Sequence, residues 1–122
     1  MKNILLFITL VSITNTSIAN DLYRAPSPGD SGTYFILNSE KNDEGVHTLL
    51  TSRVGKDNAY TDFTKLKVNC NSQQYMELAG GSEDGVKKKP SKLLKDWSKS
   101  KWTPIVAGSS KFDLVRHVCN KK

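Results

Sequence analysis

The chain has two cysteines and two histidines in 122 residues. A catalytic histidine needs a partner base, acid or nucleophile held nearby. His47 and His117 lie in no pattern that supplies one, so both are read as ordinary half-buried or surface residues. No serine stands in a nucleophile elbow, and no acidic pair carries a hydrolase signature. Gly80-Gly81 lacks the spacing and strand–helix context of a phosphate loop and is read as a hairpin exit. Two cysteines without His or Cys at ligand spacing do not make a zinc site. The sequence therefore predicts no metal, no cofactor and no enzyme, and a small hydrolase is disfavoured.

Long apolar runs are equally scarce. One short run, Ile4 to Val11, follows the single cation Lys2 and precedes a polar stretch ending Ser17-Ile18-Ala19. That three-part pattern predicts a secretory signal peptide over residues 1–19, with small residues at the cleavage site. The run is about half the length a bilayer requires, which argues against a membrane anchor. No cysteine follows it, which argues against a lipoprotein. No second such run occurs, so no membrane span is expected after processing. The protein is expected to be exported, with the periplasm favoured over secretion or the cell surface.

Residues 20–122 then form a single small domain. Hydrophobic residues at 37% and charged residues at 25% describe a folded, soluble chain. A domain of this size often needs a staple. Two cysteines in an exported domain predict one disulfide, Cys70–Cys119. In the chain-entropy model a loop of that length stabilises by roughly 4 kcal/mol.

Residues 20–32, rich in Pro and Gly, read as an irregular arm. Thr33–Leu37 reads as a strand buried on both faces, and Asn38–Gly45 as a polar turn. Val46–Val54 alternates, with His47, Leu49, Thr51 and Arg53 on one side. Phe63–Cys70 and Gln73–Leu78 read as a hairpin around Asn71-Ser72. Trp102–Ala107 reads as a short extended segment, because Pro104 excludes helix. The last element is a helix capped by Ser110, with an apolar stripe of Phe112, Val115 and Cys119, joined by Leu114 and Val118. The expected fold class is α+β: an antiparallel β-meander of four to five strands packed on a C-terminal α-helix, with one disulfide.

Residues 82–101 differ from the rest. Charge overall is +6, yet residues 20–86 hold more acids than bases. The excess sits in Lys87, Lys88, Lys89, Lys92, Lys95, Lys99 and Lys101, set against Asp96 alone. Ser91 could cap a short helix with Leu93, Leu94 and Trp97 on one face; otherwise the stretch is a mobile loop. These lysines with Trp97 are the candidate binding surface. The alternative is a solvated loop that contributes only solubility. A lysine cluster beside tryptophans suits lipopolysaccharide, acidic or sulfated glycans, or an acidic protein. Nucleic acid is set aside because the protein leaves the cytoplasm. A second candidate surface lies on the sheet, around Tyr75, His47 and Arg53.

Lys67-Val68-Asn69-Cys70, Tyr75, Trp102-Thr103-Pro104-Ile105-Val106, Gly108-Ser109-Ser110 and a helix ending Val118-Cys119 together resemble the surface-adhesin E-like family of small exported bacterial proteins. The likeness spans roughly residues 33–119. It implies an antiparallel sheet packed on a terminal helix, and a role in binding host matrix and serum proteins. The family's adhesin is lipid-anchored, and this chain has no lipidation cysteine, so the resemblance does not carry surface anchoring over. The expected function is that of an exported, non-enzymatic binding or accessory protein, adhesin-like in character. Two alternatives stay open: a periplasmic immunity or inhibitor protein against a toxin or wall hydrolase, and an accessory of a secretion or conjugation system. A basic protein is a poor inhibitor of lysozymes, which are commonly basic too. The sequence sets neither the ligand nor the oligomeric state.

Overall fold

The structure, a computed structural model, describes residues 21–120. The signal peptide expected over residues 1–19 lies outside them. The elements run β1 (Asp21–Arg24), β2 (Thr33–Lys41), β3 (Val46–Val54), β4 (Tyr60–Asn69), β5 (Gln74–Asp84), β6 (Lys95–Asp96), β7 (Thr103–Pro104) and α1 (Ser110–Cys119). They build one seven-stranded antiparallel sheet. Strands β1 to β5 pair in chain order. The short β6 and β7 both lie along the outer edge of β5.

The architecture matches the expected class, with more strands. The expected irregular arm holds a strand instead: Leu22 pairs with Phe35 and Arg24 with Tyr34. Its prolines all follow the paired stretch, at a position where the chain has already left the sheet. The turn expected over Asn38–Gly45 is shorter, because β2 continues to Lys41 opposite His47. A bulge at Leu37 interrupts this pairing between Ile36 and Asn38. Tyr34, Ile36 and Leu37 are buried, while Thr33 and Phe35 are only half-buried, so the burial expected on both faces of Thr33–Leu37 is partial. Strand β3 has the predicted bounds.

One sheet face packs on α1. The register sets Leu49 opposite Leu66 and His47 opposite Val68, so these side chains share a face. Ile36, Leu49, Leu66 and Val68 join Leu114, Val115 and Val118 in the core. Leu66, Val68, Leu114 and Val115 have no exposed surface. The predicted disulfide forms between Cys70, just after β4, and Cys119, the last residue of α1, with Cα atoms 5.4 Å apart. It pins the helix to the sheet at the end of the core.

Two details of the helix are corrected. Its cap is Ser109, whose Oγ accepts the Phe112 N–H at 3.1 Å. Ser110 is already helical, because Ser109 has the extended backbone a cap needs. Phe112 is only half-buried and lies beneath the Arg116 guanidinium, 5.6 Å from ring centre to Cζ. Leu114 takes the central position instead.

Candidate binding surface

The lysine-rich stretch is neither helical nor adrift. It is a strap fixed to the rim and both faces of β5. At its start, Thr61 is wholly buried in β4. The Thr61 hydroxyl donates to the Gly85 carbonyl at 2.6 Å and accepts the Lys87 N–H at 3.0 Å. Further on, the Glu83 carboxylate accepts two hydrogen bonds from Ser91: its N–H and its Oγ–H each lie 2.7 Å from a different oxygen. Those bonds, foremost the side-chain one, hold the Glu83 carboxyl below its ordinary pKa, with Lys87 and Lys92 adding to the effect. Ser91, expected to cap a helix, binds a carboxylate instead. Helix formation gives way because the chain's backbone groups and apolar side chains find partners on β5.

Those partners depend on the glycine pair. Gly80-Gly81 does not end the hairpin. It lies within β5, opposite Thr64 and Phe63. A Cβ on Gly80 would sit 2.7 Å from Trp97 Cζ2, and one on Gly81 would sit 3.2 Å from Leu94 Cδ2. The missing side chains are the seats into which the strap docks. Lys95 pairs with Gly80 and Asp96 with Ala79, and the Trp97 N–H donates to Leu78 O at 2.9 Å. Alternation along β6 then sends Leu94 and Trp97 to opposite faces of the sheet edge.

All seven lysines, Lys87, Lys88, Lys89, Lys92, Lys95, Lys99 and Lys101, are exposed. Trp97 keeps 40% of its surface in solvent despite its seat on Gly80, and Leu93 keeps 97%. Glu77, Trp97, Lys99, Ser100, Lys101 and Thr103 line an open depression of about 270 Å³. Periodicity along residues 82–101 could not reveal this arrangement. The one sequence signal for it was Gly80-Gly81 inside an otherwise strand-like run.

The second candidate surface is not one site. Arg53 and the pair His47 and Tyr75 stand at different ends of the sheet. Arg53 donates to Tyr60 Oη at 2.6 Å, Tyr34 Oη at 3.0 Å and Asp30 Oδ1 at 3.1 Å. Tyr34 also donates to Asp30 at 2.8 Å. Burial works against ionisation of Asp30, but these bonds and one from the Gly32 N–H outweigh it and keep the carboxyl below its ordinary pKa. Arg24 bridges Asp30 to Asp113 at the start of α1. This network satisfies its own members and ties the N-terminal strand to the helix.

His47 and Tyr75 flank Val68 from either side in one row across the sheet. Lys111 stands over the Tyr75 ring, 5.7 Å from its centre, and pairs with Glu77 at 3.2 Å. His47 Nδ1 is buried with no hydrogen-bond partner among the described residues. His117 contacts Asp21 at 3.1 Å.

Both cysteines are consumed by the disulfide. Among the described residues, no three His, Cys, Asp or Glu side chains gather as a metal site. Nor is any helix there long and apolar enough to cross a membrane. The chain is a small, disulfide-stapled α+β fold carrying a basic strap on one sheet edge. No family model, curated protein or solved structure matches the chain.

Proposed function

We propose that the protein is an exported, non-enzymatic binding module that engages an acidic partner through the strap 87–101. One observation carries this reading: seven exposed lysines stand on a segment anchored to β4 through Thr61 and to β5 through Glu83 and the glycine pair. A loop that served only solubility needs no such anchoring. A charged surface already ordered loses less conformational freedom on binding, so more of its electrostatic attraction reaches the affinity. The disulfide supports export, because such bonds persist in oxidising compartments. The periplasm is the compartment we favour. The adhesin-like role toward host matrix or serum proteins is one form of this reading.

The test uses heparin and polyglutamate as acidic probes. Replacing Lys87, Lys88 and Lys89 with Gln should lower the salt needed to elute the protein from either probe. Association should slow more than dissociation speeds up, because exposed charges steer encounter. The melting temperature should not change. Equal elution of wild type and triple variant from both probes would overturn the reading.

A further inference from the structure

We infer that the strap docks on an anionic phospholipid surface, with its lysines on the headgroups and its exposed apolar side chains below them. This rests on the strap being a binding surface, and it names the partner. Among the described residues, the large apolar side chains exposed to solvent are Leu22, Val86, Leu93, Trp97, Trp102 and Val106. All but Leu22 fall on residues 86–106, which follow the outer edge of β5: Leu93 and Trp97 stand among the seven lysines, Val86 just before them, and Trp102 and Val106 after them. An acidic polysaccharide or a polyacidic chain needs only the lysines. It gives no account of Leu93, which is 97% exposed and has Lys92 and Lys95 close by in the chain.

A bilayer interface accounts for both features. Leucine and tryptophan enter the region between headgroups and acyl chains, while lysines keep their ammonium groups at the phosphates. Tryptophan favours that interface because its ring is apolar and its indole N–H can stay hydrated. The depression beside Trp97 sets Lys99 and Lys101 against the single acid Glu77, a net positive lining that suits a phosphodiester headgroup; the Ser100 and Thr103 hydroxyls already donate to the Trp97 and Lys101 carbonyls. Anchoring on β5 matters here too. Leu94 is held against Gly81 and Trp97 against Gly80, so the neighbouring Leu93 cannot retreat into the fold without breaking that docking. Each lysine near an anionic surface strengthens partitioning about fivefold, so several acting together give binding without a spanning segment.

The chain's two tryptophans are Trp97, in the strap, and Trp102, just past its end, so its tryptophan emission reports on the strap and the residue that follows it. Full-chain protein with its disulfide intact is mixed with vesicles of phosphatidylcholine, with or without phosphatidylglycerol. Sedimentation and emission are followed at about 50 and 200 mM salt. Phosphatidylglycerol vesicles should pellet the protein and shift its emission to the blue, and salt should weaken both effects. Phosphatidylcholine alone should do neither. Leu93→Ser should weaken vesicle binding about tenfold, the scale of one buried leucine, and leave heparin elution and melting temperature unchanged. The lysine triple variant should weaken vesicle and heparin binding together. If heparin binds and vesicles do not, or if Leu93→Ser pellets like wild type, the membrane inference fails while the acidic-partner reading stands. If neither probe binds, both fail.

Discussion

The buried hydroxyl of Thr61 accepts the backbone N–H of Lys87 at 3.0 Å, so the first lysine of the strap is held by a residue of the sheet interior. Because Thr61 also donates to Gly85, one side chain closes the corner where β5 ends and the strap begins. Replacing Thr61 with Val keeps the shape and removes both bonds. The loss should be about 2 kcal/mol, the usual net worth of two such bonds. Amide exchange at Lys87 should quicken while exchange in β4 stays slow, as hydrogen-exchange mass spectrometry or NMR would report. An unchanged Lys87 amide would show that the corner is held by something else.

The disulfide should be complete in the exported protein. Thiol labelling under native, non-reducing conditions should find no free cysteine. Cys70→Ala should lower stability by roughly 2–5 kcal/mol, the range for a native disulfide in a small exported domain. Chemical unfolding with and without reductant reads this directly.

The helix should depend on Leu114 more than on Phe112. Leu114 has no exposed surface, whereas Phe112 is half-buried under Arg116. Leu114→Ala should cost about 2–5 kcal/mol. Phe112→Ala should cost less, about 1–2 kcal/mol, because only part of its area leaves water on folding. Reversal of that order in urea titrations would move the helix's buried face.

Stability should fall as pH drops below about 6.5, where a histidine in the unfolded chain takes up its proton. Burial, foremost, and the nearby Lys41 hold the His47 pKa below its ordinary value in the fold. The folded state therefore binds that proton less readily than the unfolded state. The contribution is complete above the unfolded pKa and is lost as pH falls toward the folded one. His47→Gln should flatten the pH dependence between about 6.5 and 5. Asp30 acts in a lower window: its depressed pKa stabilises the fold above about 3.9, and that gain disappears on further acidification. An unchanged slope between pH 6.5 and 5 in the Gln variant would assign the loss to another group.

Much of the frame can be read from local pattern alone. The alternation of Val46–Val54 marks β3 because a strand's side chains repeat every two residues. The spacing of Phe112, Val115 and Cys119, with Leu114 and Val118, marks α1 because a helix's side chains repeat every 3.6 residues. The export signal and two cysteines point to one bond, since two such residues permit one pairing. The clustering of the lysines is likewise plain in the chain.

Where those lysines stand was decided by tertiary contact. Trp97 and Leu94 dock on Gly80 and Gly81 more than ten positions earlier, and Lys87 is held by Thr61 across the sheet. The arm around Leu22 becomes a strand because β2 presents an unpaired edge to it, which no propensity of its own would predict. Arg53 is committed to Asp30, Tyr34 and Tyr60, which the fold brings together from three separate segments. Periodicity reports which face of an element is apolar. It carries no information about which distant group fills a seat, because that depends on the register and curvature of strands that are in place only once the sheet has formed.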